Sequence, residues 1–372
     1  MARTITGAVL EEIGRPRPYA ASRPISVVEL ELDDPGPDEL LVRIEAAGVC
    51  HSDLSVVDGN RPRPVPMLLG HEAAGIVEAA GEAALAAGFA VGDRVVMAFL
   101  PRCGECEGCR TGGRMPCEPG TAANTAGELL AGGTRLRRAD GAAVHHHLGV
   151  SGFATHAVVD RRSAVVVGRD VPPEVAAVLG CAVLTGGGAV MNAGRLDAGE
   201  DVVVVGLGGV GMAALITAVS LGHGRVIGVD AVPGKLDRAR ELGAYAVYTP
   251  EAALEAGVRA PLAVEAAGHP RAFETAFALT APGGRTVTVG LPPAGARAEL
   301  PPLAITAEAR TIVGSYLGSA VPARDIPRYA ELWRAGRLPV EALISAEIAL
   351  DEIGGAMDTL ADGAAVRQLI RF

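Results

Sequence analysis

The spacing of apolar residues divides the chain into two regimes. From residue 1 to about 100, short apolar runs such as Glu39–Ala46, Gly75–Ala79 and Asp93–Ala98 are cut by turn-formers, among them Asp34-Pro-Gly-Pro37 and Val91-Gly-Asp93. Short strands at this spacing predict a small all-β unit. Residues 101 to about 120 form a Cys/Gly-rich lobe. Residues 121–150 read as a polar, Gly-rich loop ending in His145, His146 and His147, for which a partly exposed turn or strand is expected.

From about residue 173 the period lengthens. Val171-Pro-Pro-Glu174 has the form of a helix start, with proline in the first turn and an acid at the positive end. Val202–Val205 reads as a buried strand, with a helix from about Val210. Val226–Val229 is the next strand, and Lys235–Leu242 a helix stopped by Gly243. Strands are expected at Leu262–Glu265, Thr286–Val289 and Thr311–Val313, helices over 325–336 and 351–361, and a last strand at Arg367–Phe372. Strand–helix alternation of this kind predicts a parallel, doubly wound sheet. The fold class is therefore α/β plus β.

Length and charge narrow the function. The 372 residues suit two domains, each large enough for its own core. Only 3% of residues are aromatic, so the core is built from Val, Leu and Ala. A net charge of -10 argues against nucleic acid as a partner, which needs clustered Lys and Arg. Val202–Leu221 is long and apolar enough to suggest a membrane span, but Gly206, Gly208, Gly209 and Gly211 interrupt it, and a strand followed by a buried helix accounts for it better. Met1–Gly14 carries Arg3, Glu11 and Glu12 and lacks the apolar core of a signal peptide. A cytoplasmic protein is expected, with reduced thiols and no membrane partner.

The six cysteines carry most of the chemistry. Cys103, Cys106, Cys109 and Cys117 follow Cys-x2-Cys-x2-Cys-x7-Cys, a spacing that lets four thiolates close a tetrahedral shell around one zinc ion. A closed shell has no open position, so this metal stabilises rather than catalyses. Iron–sulfur spacing usually differs, and disulfides suit a reducing compartment poorly. Cys50 lies in Gly48-Val-Cys-His-Ser-Asp53, followed by Gly70-His71-Glu72, and Cys181 lies in Gly180-Cys-Ala182. Two cysteines and a histidine with one open position form a known catalytic zinc arrangement, although spacing alone does not show that such distant residues meet.

Gly206-Leu-Gly-Gly-Val-Gly211 is a G-x-G-x-x-G between a strand and a helix, the context in which glycines admit a pyrophosphate to a helix N-terminus. Asp230 ends the next strand, where a carboxylate accepts both ribose hydroxyls and repels a 2′-phosphate; this favours NAD over NADP.

Taken in order, Gly-Val-Cys-His-Ser-Asp, Gly-His-Glu, the four-cysteine lobe and Gly-Cys-Ala resemble the zinc-containing medium-chain alcohol dehydrogenase family over essentially the whole chain, and its longer-loop branch in particular. The resemblance implies a GroES-like β catalytic domain (1–181 and 323–372, with the lobe at about 101–120) and a Rossmann domain (182–322). It implies two zinc ions per chain and NAD. Cys50, His71 and Cys181 would bind the catalytic zinc, Glu72 would be a neighbouring or occasional ligand, and Asp53 would orient the histidine. Ser52 would take the hydroxyl proton. Many members end the proton relay on a histidine where this chain has Ser55. His51 and Arg367 would contact the pyrophosphate, Lys235 the adenosine ribose, Thr185 and Val210 would lie near the nicotinamide, and Val289 would also bind the cofactor. Phe99 and Leu148 would wall an apolar pocket. The reaction implied is reversible oxidation of a primary alcohol, aliphatic or aromatic, to an aldehyde by a homodimer. Two other readings stay open: a thiol-dependent formaldehyde dehydrogenase, and a non-catalytic zinc- and nucleotide-binding sensor.

Overall fold

Arg3–Leu10, exposed at its start and buried on both faces from Gly7, pairs antiparallel with Ile25–Leu32 in unbroken register, from Arg3 against Leu32 to Leu10 against Ile25. These two strands close into a small barrel with Leu136–Arg137, Ala143–His146 and Met67–Leu68. Ile5, Val9, Leu30, Leu32, Leu68, Leu136 and Val144 fill its interior. Beside it runs a second sheet centred on Glu39–Val49, which pairs with Ala73–Ala80, His156–Asp160 and the C-terminal strand Gln368–Arg371. Leu40, Val42, Ile44, Met97 and Phe153 belong to the core on this sheet.

The structure, a computed structural model, describes residues 2–372. They form two units, one of residues 2–181, 321–330 and 344–372, the other of 182–320 and 331–343. The C-terminal return expected as one block from 323 is thus split, with 331–343 counted in the second unit.

The segment 121–150 differs from the expected loop. Glu118–Ala126 is a helix capped by the Cys117 sulfur, which accepts Gly120 N–H, and 136–146 contributes two strands to the barrel. Of the histidine run, His145 is partly exposed as expected, whereas His146 and His147 are buried, each 1% exposed.

In the second unit six parallel strands run in the order Ala246–Tyr248, Val226–Val229, Val202–Val205, Ala260–Glu265, Thr280–Thr288, Thr311–Gly314. The order reverses beside Val202–Val205, which marks the crevice where doubly wound sheets bind ligands. Val202–Val205 is fully apolar because it is buried on both faces. The apolar stretch 202–221 resolves into this strand and the helix Gly209–Ser220. Among the described residues, the one helix long and apolar enough to cross a membrane is Pro173–Gly194, and 89% of its apolar window is buried.

Candidate active site

The first unit gathers Cys50, His71 and Cys181, although His71 and Cys181 are 110 residues apart in the chain. Their sulfur and nitrogen ligand atoms lie within 4.8 Å of one another, and all three residues are buried. Cys50 ends the central strand and caps the helix His51–Val57. Cys181 sits in a π-helical turn, Leu179–Val183, a widening that recurs at functional sites. Its sulfur is 3.4 Å from His71 Nε2.

Asp53 aims the set. Its Oδ2 accepts the Cys50 N–H at 3.0 Å and its Oδ1 meets His71 Nδ1 at 2.9 Å, so His71 presents Nε2 toward the two sulfurs. Burial works against a charge on Asp53, but His71 and His147 outweigh it and hold the carboxyl at about 2. A hydrogen bond with Cys181 holds the Cys50 thiol well below its ordinary range, and the same bond with burial pushes Cys181 well above. Two buried thiols of which one ionises easily and the second resists until a cation is present are a donor set suited to a divalent metal.

Glu72 adds to that fit. It is fully buried, neither carboxylate oxygen has a hydrogen-bond partner among the described residues, and burial pushes its carboxyl up to about 7. Arg367 Nε lies 3.4 Å away, and Arg367 Nη1 donates to the Val49 carbonyl at 3.0 Å. Arg367, for which the family resemblance implies a pyrophosphate contact, has its guanidinium buried against the Glu72 carboxylate and a strand carbonyl. The C-terminal strand pairing, Gln368 opposite Val49, carries it there.

Phe99 and Leu148 are both nearly buried. The Phe99 ring meets His71 edge-on at 5.6 Å, and Leu148 holds a left-handed backbone at φ 52°. Ser52 is half-buried in the first turn of the helix and His51 is exposed. Ser55 donates its hydroxyl to the His51 carbonyl at 2.6 Å, so this position serves the helix.

The four-cysteine lobe has metal dimensions. A tetrahedral shell with Zn–S near 2.3 Å has sulfur–sulfur edges of about 3.8 Å. Cys103–Cys109 and Cys106–Cys117 sulfurs are each 3.9 Å apart, all four lie within 4.8 Å of one another, and all four cysteines are free of disulfides. Backbone N–H groups of Cys103, Cys106 and Gly120 donate to these sulfurs at 3.3–3.4 Å, as thiolates require.

In the second unit the glycine loop is built by close approach. Gly206 has φ +90° and a Cβ there would meet Ala267 N at 2.6 Å; one on Gly211 would strike the Gly206 carbonyl oxygen at 1.8 Å. Around Gly208 the space is open, and Gly209 and Val210 begin the helix. Asp230 anchors the loop: Oδ2 accepts Leu207 N–H at 2.7 Å and Oδ1 accepts Val232 N–H at 2.9 Å, with Lys235 Nζ 3.9 Å from Oδ2. A cavity of about 710 Å³ opens here, lined by Gly206, Asp230, Lys235, Glu251, His269 and Arg271 among others. The last three were not singled out from sequence, because their strand–helix setting (246–255 and 269–278) carries no motif. Thr185 lies on the helix Leu184–Gly188, which packs on Gly209–Ser220, and Val289 follows the strand Thr280–Thr288 with its N–H on the Glu265 carbonyl.

Residues 36–169 match the alcohol dehydrogenase GroES-like domain, and residues 209–335 match the zinc-binding dehydrogenase domain. The chain is 35% identical to alcohol dehydrogenase B of Mycobacterium tuberculosis, over 94% of this chain and 96% of that protein. It is 34% identical to geraniol dehydrogenase of Castellaniella defragrans, over 98% and 97%. The crystal structure of benzyl alcohol dehydrogenase from Acinetobacter calcoaceticus superposes with a TM-score of 0.89 at 30% identity, covering 100% of this chain and 99% of that one. With both domains matched and full-length relatives above 30% identity, the chain belongs to the zinc-containing medium-chain alcohol dehydrogenase family, as an oxidoreductase with a GroES-like domain and a Rossmann domain.

Proposed function

We propose that the protein interconverts apolar primary alcohols and their aldehydes with NAD, using one catalytic and one structural zinc per chain. The observation that carries this reading is the buried Cys50–His71–Cys181 set, with His71 oriented by Asp53. Three protein donors leave a fourth position, and zinc held there supplies Lewis acidity toward an alcohol or carbonyl oxygen. Ser52 receives the hydroxyl proton at Oγ and passes it outward. Ser55 is committed to the helix, so His51 or solvent completes the release. Phe99 and Leu148 form an apolar wall that excludes water and fits a hydrocarbon substituent.

Geraniol and benzyl alcohol, named for two of the relatives, both carry the hydroxyl on a carbon next to a π-system. Allylic and benzylic primary alcohols are therefore the first substrates to test. The Asp230 carboxylate at the cavity favours NAD, since it accepts ribose hydroxyls and repels a 2′-phosphate. Lys235 supports the same ribose, and the Gly206–Gly211 loop receives the pyrophosphate. Thr311–Gly314 is an edge strand with Ile312 exposed, and pairing of two such edges gives a homodimer. The reading places this dimer in the cytoplasm, without nucleic acid or membrane partners.

The test is NADH formation across a panel of primary alcohols, with and without a low-molecular-weight thiol, and with NADP⁺ in place of NAD⁺. Turnover of allylic or benzylic alcohols with NAD⁺ and no thiol supports the proposal. Turnover of formaldehyde only with thiol present would replace it with the thiol-dependent reading.

A further inference from the structure

Three consecutive histidines end one wall of the barrel, and the third reaches the metal set. The turn that delivers His147 is tight. Val150 N–H and Ser151 N–H donate to its carbonyl at 3.1 and 3.3 Å, and Ser151 Oγ accepts its N–H at 3.0 Å. Leu148 and Ser151 both take left-handed backbones, at φ 52° and 53°, a conformation non-glycine residues seldom adopt. The turn drives the ring inward, where it is 1% exposed.

There it does two things. His147 Nδ1 lies 3.1 Å from Asp53 Oδ1, off-axis, and has no aligned partner elsewhere. That oxygen is the one that holds His71 Nδ1. The His147 ring also meets the His71 ring edge-on, with centroids 5.4 Å apart and planes at 84°. Phe99 meets the same ring edge-on at 85°.

We propose that His147 is a positioning residue for the catalytic metal: it shares the carboxylate oxygen that orients His71 and, with Phe99, sets the plane of the His71 ring. The proposal rests on the reading of Cys50, His71 and Cys181 as a zinc site. A carboxylate oxygen bonded to His71 Nδ1 and crowded by His147 Nδ1 at 3.1 Å loses freedom to swing, and a ring met edge-on by two other rings loses freedom to tip. Both restrict Nε2 to the direction of the two sulfurs.

The experiment follows zinc release from the holoenzyme to a chromophoric chelator, with the catalytic phase identified by its loss in Cys50→Ala. His147→Phe keeps a ring but removes the N–H; His147→Asn returns an amide N–H near the Nδ1 position. Groups that support metal ligands change affinity about 10- to 100-fold, and His147→Phe should speed catalytic-zinc release by about 10-fold, at the low end of that range. Its kcat should fall while the KM for NAD⁺ stays unchanged, and His147→Asn should restore slow release. Release from His147→Phe at the wild-type rate, or equal release from the Phe and Asn variants, overturns the proposal. Should His147→Phe not fold, His147→Asn is compared with His147→Ala: slower release from Asn supports sharing of Asp53, and equal release overturns it. A wild-type protein with no catalytic-zinc phase would instead remove the metal-site reading beneath the proposal.

Discussion

Asp230→Asn is the perturbation whose size the structure lets one work out. The carboxylate accepts Leu207 N–H through one oxygen and Val232 N–H through the other. Each oxygen keeps a second lone-pair direction for a ribose hydroxyl. An amide in its place must turn its NH2 toward one of those backbone donors, and it offers ribose one acceptor without charge. Losing one charge-assisted hydrogen bond costs about 1.5–3 kcal/mol, which is roughly 10- to 150-fold in kcat/KM for NAD⁺. The change acts oppositely on NADP⁺. Like charges about 4 Å apart repel by roughly 4 kcal/mol at an effective dielectric near 20, and Lys235, now 3.9 Å from Asp230 Oδ2, is released to face the 2′-phosphate. Combined, the preference for NAD⁺ over NADP⁺ should fall by at least about 100-fold. Initial rates with each cofactor at saturating alcohol measure it. An unchanged preference, or an equal loss with both cofactors, would refute the assignment of Asp230 to the ribose.

Gly48→Ala places a Cβ 2.0 Å from Glu72 Oε1, beside a carboxylate with no exposed route of escape; turnover and the catalytic zinc should be lost while the four-cysteine zinc stays, as metal analysis would show. His146 accepts Arg135 N–H at Nε2 and pairs with Ser151 Oγ through Nδ1, a neutral form that burial enforces by lowering it to about 3. Because the unfolded histidine titrates near ~6.5, its stability contribution is complete above that pH and drains away as pH falls toward 3; by pH 5 the loss is about 2 kcal/mol. Denaturation at pH 7 and pH 5 should show that much less acid sensitivity in His146→Gln than in wild type. Tyr329 is buried with a hydroxyl that has no hydrogen-bond partner among the described residues. Tyr329→Phe should be neutral or stabilising by up to about 1 kcal/mol, and a clear loss in chemical denaturation would contradict that.

The elements that sequence reveals here are those whose environment is uniform along their length. Val202–Val205 reads as a buried strand because both faces are covered, and Asp230 is visible because a strand end and a glycine loop bracket it. Residues 121–150 mislead because their strands are two and four residues long, too short for a period, and are stabilised by closing a barrel. His147 reads in sequence as one of three partly exposed histidines until the turn at Leu148–Ser151 aims it at Asp53, a contact 94 positions away in the chain. Arg367 follows a motif position, but its burial depends on the pairing of Gln368 with Val49, which no local pattern encodes. Ser55 was legible as a departure from the family; that its hydroxyl is spent on the His51 carbonyl required the helix geometry.

The central claim is that Cys50, His71 and Cys181 hold a zinc ion on which alcohol oxidation depends. The most direct measurement is zinc per chain in the wild type and in Cys50→Ala, alongside NADH formation from benzyl alcohol. The account predicts about two zinc ions per chain, with Cys50→Ala losing one of them together with turnover and remaining folded around the four-cysteine site. A metal-replete, folded wild type holding one zinc or none, or a Cys50→Ala variant that keeps full turnover, would contradict it.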